Sequence, residues 1–419
     1  MISKLLTLAL TFLLTAASLT GCWDRREINE LAFQSCIAFD LEGGQRVLTS
    51  ELVQPAAASR EKGGGGTTLP QRQVIIASAR SATLLGAGRE TAPGLPRRAY
   101  LAHTTAVLVG EEMARHGLEE VLEFVDRHPE LRRTTLVLLT RGPAREILIK
   151  AQGALETNLG KEIAGLHRWA PVSGFSFIPN LNDVFFDLSN GAAATVLPVV
   201  ELSPEPFPPI LGAGTTAGGG ASPGTAATGQ RTAQPETINT LYLRGAGLFY
   251  HTKLVGWLDE RQTRGLAWAR NKARGGILEL PCAGADTRVA VDVTEARGQV
   301  KIDTKGGKLQ GKINVQVEGE LLEEQCQVDF TKEEALKSLQ DQMAALVTAE
   351  ISSALEQTKG AGADVFGFGG ALYRRQPKLW RQLHQRWQEE FKKMPITIEV
   401  QAKVRRTGTT RRPWQPRVH

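Results

Sequence analysis

Thr331-Lys332-Glu333-Glu334 opens a stretch in which Leu336, Leu339, Met343, Leu346, Val347, Ile351 and Leu355 fall on one stripe of an α-helix spanning residues 332–358. Thr331 and Glu334 have capping-box spacing, so each side chain is expected to satisfy a free backbone amide at the helix start. On both sides of this helix the apolar period drops to two. Before it, Val289, Val291 and Val293, then Gly311 to Val317, then Leu321 to Val328 read as strands. After it, Pro377 begins a second helix carrying Trp380, Leu383, Trp387 and Phe391, and Pro395 ends that helix. Ile396, Ile398, Val400, Ala402 and Val404 then alternate as a strand with one buried face. Strands flanking amphipathic helices predict a sheet covered on one side by helices.

The N-terminal half follows a related alternation. Gln34 to Leu41 and Arg46 to Gln54 flank Glu42-Gly43-Gly44, a hairpin signal. Ala77 to Arg89 reads as a helix, Leu101 to Val109 as a strand, Leu118 to Val125 as a helix and Thr134 to Thr140 as a strand. Gly142-Pro143 opens a helix through Ile147 and Ile149. Between 203 and 236, Pro, Gly, Ala and Thr dominate, and such a segment buries too little apolar surface to offset its ordering entropy. Beyond it, Leu241-Tyr242-Leu243 and Gly247-Leu248-Phe249-Tyr250 read as two paired strands. Leu254 to Leu258 leads into a helix around Glu260 to Ala269.

The first 22 residues carry a different signal. Lys4 precedes an apolar run from Leu5 to Leu19, and Leu19-Thr20-Gly21-Cys22 closes it with small residues and a cysteine. Fifteen residues at ~1.5 Å each cover roughly 22 Å, short of a hydrocarbon core of about 30 Å, so a lipoprotein signal peptide fits better than a spanning helix. The Cys22 thiol is then the nucleophile that takes a diacylglyceryl group. Two acyl chains of about fifteen methylenes, at ~0.8 kcal/mol per buried CH₂, give an anchor worth up to ~24 kcal/mol.

The 419 residues have a net charge of +6 and a pI near 9.2, which suits the neighbourhood of an anionic membrane. Basic and acidic residues are interleaved, which argues against nucleic acid as a partner. The exception is a basic tail with Arg405, Arg406, Arg411, Arg412 and Arg417, which reads as a solvated terminus. Apart from Cys22, the cysteines are Cys36, Cys282 and Cys326, with no CxxC spacing. Cys282 and Cys326 either pair or stay buried thiols, and free thiols are the expectation. None of the seven histidines sits in HExxH or beside another ligand at metal spacing, so no metal or cofactor is expected. There is no G-x-S-x-G elbow and no Walker loop. The chain reads as a non-enzyme with no catalytic residues.

Cys22-Trp23-Asp24-Arg25-Arg26-Glu27-Ile28-Asn29 strongly resembles the mature start of the Ger(x)C family, the C subunits of spore germinant receptors. Gly245-Ala246-Gly247-Leu248-Phe249, Lys253-Leu254-Val255-Gly256-Trp257-Leu258 and Thr263-Arg264-Gly265-Leu266 match in the same order. So do Asp364-Val365-Phe366-Gly367-Phe368-Gly369, Pro377-Lys378-Leu379-Trp380, Trp387 through Phe391, and Val404-Arg405-Arg406-Thr407-Gly408. Residues 203–236 depart from the family pattern as a long insertion.

The resemblance implies a lipoprotein of the germinant receptor, held by a diacylglyceryl anchor on the extracytoplasmic face of the spore inner membrane. Its partners would be integral-membrane A-type and B-type subunits. It also implies a mixed α/β (α+β) fold of three domains, each with a sheet covered by helices. The expected division is a signal peptide 1–21, an N-terminal domain 22–200, a disordered linker 201–236, a small middle domain 237–284 and a C-terminal domain 285–419. The motif residues Trp23, Asp24, Arg25, Gly256, Trp257, Gly265, Asp364, Phe366, Gly367, Trp387 and Phe391 read as scaffold. The tryptophans and Phe391 are expected to bury large areas. Gly256, Gly265, Gly367 and Gly369 are expected to permit turns, and Asp364 to cap one. A solute-binding lipoprotein of a transporter is the rival reading, and it requires an aromatic-lined cleft between two lobes.

Overall fold

The computed structural model describes residues 2–6, 8–9, 11, 27–53, 74–151, 155–174, 176–189, 192–202, 239–282, 287–306, 308–326 and 328–406. The chain runs β1 Leu31–Glu42, β2 Gln45–Val53, β3 Val74–Ser81, α1 Leu84–Glu90, β4 Arg98–Tyr100, β5 Ala106–Val109, α2 Glu111–His116 and α3 Glu119–Arg127. Then come β6 Leu136–Leu139, α4 Ala144–Lys150, α5 Leu159–Ser173, α6 Leu181–Ser189, β7 Ala194–Leu202, β8 Leu241–Tyr250, β9 Lys253–Leu258 and α7 Glu260–Ala269. It ends with β10 Gly276–Pro281, β11 Arg288–Lys305, β12 Lys308–Glu324, α8 Glu333–Ala361, α9 Phe368–Arg375, α10 Pro377–Leu383, α11 Trp387–Lys393 and β13 Ile396–Arg406.

Among the described residues nine strands form the first sheet, in the order β3-β2-β1-β5-β6-β7-β8-β9, with β4 also paired to β1. Its centre, β1-β5-β6-β7, is parallel and its flanks are antiparallel. Both faces of that centre are buried. Ile37, Phe39, Val107 and Val109 pack into one apolar cluster, and Cys36, Ala38, Ala106 and Leu108 into another. This is the period-two alternation of a strand between two helical layers.

The second sheet is β10-β11-β12-β13, with β13 parallel to β12. A parallel neighbour needs a long crossover, and α8 to α11 supply it. The fold is thus the expected mixed α and β architecture, with helices on sheets. Among the described residues of 237–284, β8 and β9 extend the first sheet, whereas β10 begins the second. One apolar cluster joins the two, running from Ala194, Val196 and Leu248 through Trp268 to Val291, Ile313 and Phe391.

Several local expectations need correction. Ala77 to Ser81 belongs to strand β3, because it pairs with β2 along its whole length, and the helix begins only at Leu84. Leu101 to His103 is a 3-10 turn that precedes β5. Leu241 to Tyr250 is one continuous strand between β7 and β9, not a hairpin of two. Strand β12 ends at Glu324, short of Val328. The capping box at Thr331 does not form; α8 starts one residue later with no side-chain cap, and the Thr331 hydroxyl bonds Asp329 instead. The second C-terminal helix is broken into α10, a 3-10 turn at His384–Arg386, and α11.

Cys282 and Cys326 are not free thiols. They form a disulfide with Cα atoms 6.0 Å apart, linking the residue after β10 to the chain just past β12. Cys36 is buried in β1. The signal peptide falls mostly outside the described residues, as do Cys22 and the linker 203–236.

Candidate functional site

Asp364 organises the C-terminal motif. It lies between α8 and α9, and its buried carboxylate accepts four hydrogen bonds. The backbone N–H groups of Gly367, Phe368 and Gly369 donate at 3.0, 3.1 and 2.6 Å. The Trp387 indole N–H donates at 3.0 Å from α11. The three backbone donors are the unsatisfied amides at the start of α9, so Asp364 caps that helix as its sequence position suggests. Gly367 makes the turn possible: its φ is +86°, in the left-handed region. Around this group Phe366, Phe368 and Phe391 pack ring to ring, and all three are buried. Burial raises the Asp364 carboxyl to about 6, while its four donors pull the other way.

A second cluster lies where α7 crosses α8. A Cβ at Gly265 would stand 2.2 Å from the Glu350 carbonyl oxygen. Gly265 is therefore a helix-crossing point, where two backbones touch, and not a turn. Beside it the Glu350 carboxylate is buried and takes both Arg264, at 3.0 and 3.1 Å from its Nε, and the Trp268 indole N–H at 3.0 Å. The Asp259–Gln262 capping box fixes the start of α7. Glu350 and Trp268 escaped the sequence reading. The available signal was a carboxylate at 350, inside the buried register of Val347, Ile351 and Ala354. Gly265→Ala is expected to cost about 1–3 kcal/mol, the range for an overpacked site, read from the denaturant midpoint.

The remaining motif residues are more peripheral. Trp257 is half-buried, with the Arg141 guanidinium 4.3 Å above its ring and its carbonyl accepting from Gln357 Nε2 at 3.1 Å. Gly256 lies within β9, and a Cβ there would meet only ordinary contacts at 3.6 Å. Gly369 is helical, and its missing Cβ admits the Trp387 ring. The turn expected at these two glycines is thus corrected to a strand position and a close ring contact. Trp23, Asp24 and Arg25 lie outside the described residues, like Cys22.

The two sheets are also tied by an ion pair. Arg270, at the end of α7, donates to both oxygens of Asp187 on α6 at 3.1 Å.

Acidic groups converge at one further place, beside Asp40, Glu42, Glu111 and Glu112. Asp40 there is buried, and the Ala144 and Arg145 amides at the start of α4 donate to it at 2.6 and 2.9 Å. Burial again dominates and lifts this carboxyl to about 6. Glu42 pairs with Arg145 and Glu111 with Arg115. These acids hold helix ends and neighbouring side chains.

Folded Asp40 binds its proton more tightly than an unfolded aspartate, whose ordinary value is 3.8. The stabilisation linked to that proton is complete below about pH 4 and is lost as pH rises through about 6. The stability of the wild-type chain relative to Asp40→Asn is therefore expected to fall across that window in urea titrations. A constant difference would refute the linkage.

A cavity of about 730 Å³ opens between the β1–β2 face and the segment from Leu85 to Leu101. It lies within the first sheet's own layers, and Phe124 and His128 are its aromatic lining.

Comparison with known proteins finds two family models along the chain. A family model described as "Spore germination protein N-terminal domain" matches residues 24–202. A second, described as "Spore germination B3/ GerAC like, C-terminal", matches residues 244–408. The chain is 26% identical over 415 residues to spore germination protein KC of Bacillus subtilis, covering 97% of each chain. It is 22% identical over 401 residues to spore germination protein B3 of the same organism, covering 94% of this chain and 95% of that one. Among solved structures it is similar to the crystal structure of the GerBC protein, with a TM-score of 0.53 and 17% identity. That match covers 90% of this chain and 99% of the other, and at this identity it speaks for the fold.

Proposed function

This chain belongs to the Ger(x)C family of spore germination proteins, and from that premise we propose that it is the lipid-anchored C subunit of a germinant receptor. The carrying observation is the pair of family models, which between them span both sheets. In this reading Cys22 carries a diacylglyceryl group on the extracytoplasmic face of the spore inner membrane. The two-sheet body stands beside integral-membrane A-type and B-type subunits and does no chemistry itself. Tethering confines it to two dimensions with those subunits and raises their effective concentration.

No helix among the described residues is long and apolar enough to cross a membrane, which is compatible with an external anchor. The transporter reading requires an aromatic-lined cleft between two lobes, and the 730 Å³ cavity lies within the layers of the first sheet.

Cys22→Ala tests the proposal. Nutrient-triggered germination is expected to fall by one to two orders of magnitude, reflecting the lost effective concentration. The wild-type chain should need detergent for release from spore membranes. Normal germination of a deletion strain without paralogues would overturn the proposal.

A further inference from the structure

The position of the anchor decides which surface meets the bilayer. Glu27 is the first described residue after Cys22. Asn29 lies seven residues beyond Cys22, so even a fully extended tether holds it within about 24 Å of that Cα. Asn29 and Glu30 line the mouth of the 730 Å³ cavity, together with Leu85, Arg89, Arg97 and Arg98. Strand pairing fixes this placement, because Leu31 is the parallel partner of Arg98 in β4. The arginines are therefore beside the start of β1, the first strand after the anchor.

The chemistry of this end suits an anionic interface. Arg89 and Arg97 make no ion pair among the described residues. Arg98 shares Glu130, 3.3 Å away. Glu30, on the same rim, is the opposing charge, and the three arginines outnumber it and Glu130. Two large apolar side chains are exposed beside them: Ile28 is 64% and Leu85 57% exposed. Cations next to exposed apolar side chains match the layered chemistry of a lipid interface, with phosphate outside and acyl chain beneath.

We propose that the cavity mouth lined by Leu85, Arg89, Arg97 and Arg98, with exposed Ile28 next to Asn29 of the same lining, is the bilayer-facing surface and binds the headgroups of anionic phospholipid. This orientation rests on the anchoring at Cys22.

The test uses the lipidated full chain, reconstituted in vesicles of phosphatidylcholine alone or of equimolar phosphatidylcholine and phosphatidylglycerol. Amide hydrogen exchange over residues 84–101 is expected to slow severalfold on the phosphatidylglycerol vesicles relative to phosphatidylcholine. High salt should erase the difference, because exposed charges are screened. Arg89→Glu with Arg97→Glu should erase it too, while exchange in β11 and β12 reports that this variant remains folded. Equal exchange on the two vesicle types, or protection confined to the second sheet, would overturn the proposal without touching the anchor. A chain that fails to float with either vesicle overturns the anchoring itself, and this orientation falls with it.

Discussion

Glu350→Ala is expected to lower the unfolding free energy by about 3–5 kcal/mol, the cost of breaking a buried ion pair from one side. Glu350 and Arg264 are 3% and 8% exposed. Removing the carboxylate leaves a guanidinium that cannot shed its charge. It keeps a long 3.4 Å bond to the Ile277 carbonyl, which carries no compensating charge. The Trp268 indole N–H, in a fully buried ring, also loses its acceptor. A cavity adds to both penalties.

The reverse design separates pair breaking from packing. Arg264→Met together with Glu350→Leu removes both charges and fills the space, so the double variant should recover most of the loss. Denaturant midpoints at fixed pH give the comparison. A loss below about 1 kcal/mol for Glu350→Ala would place the pair among weak surface bridges and sink the argument. The effect matters beyond stability, because α7 joins β9 of the first sheet to β10 of the second. Loosening its crossing with α8 loosens the joint between the two halves of the molecule.

Features encoded within a few residues were legible from sequence. Gly43 and Gly44 mark the β1–β2 hairpin, the alternation from Ile396 to Val404 marks β13, and Asp364 caps the turn that its position before Val365 and Phe366 suggests. What escaped depends on contacts between distant positions. Arg244 and Gly245 look like a turn, yet a register shift between Pro198 and Val200 lets β8 run straight through them. Ala77 to Ser81 has helix-compatible composition, but pairing with β2 makes it a strand. Tertiary context overrides weak local propensity in both cases.

Cys282 and Cys326 meet across 44 residues because β10, β11 and β12 align their ends, which no spacing rule reveals. The same holds for the motif glycines. Sequence marks Gly265 as special, but only the crossing of α7 and α8 shows that the reason is a backbone contact.

Asp364 concentrates the most hydrogen bonding on one side chain among the motif residues. Asp364→Ala is expected to cost about 3–5 kcal/mol, since it orphans three helix-start amides and an indole N–H in a buried site, at about 1–3 kcal/mol for each group that finds no substitute. Asp364→Asn is a sharper probe, because it keeps the shape. One amide oxygen can still accept from Gly367 and Phe368, but the NH₂ then faces the Gly369 N–H and the Trp387 Nε1–H, which are themselves donors. Near-isosteric replacement should therefore remain destabilising, by about 2 kcal/mol. Trp387→Phe removes a single donor and keeps an aromatic ring, so it should cost less than either aspartate variant. Combined with Asp364→Ala, its effect should be less than additive, because the two share one hydrogen bond. If Asp364→Asn instead matches the wild type in its denaturant midpoint, the carboxylate is dispensable and packing of Phe368, Trp387 and Phe391 alone holds α9 in place. Full additivity would refute the shared bond in the same way.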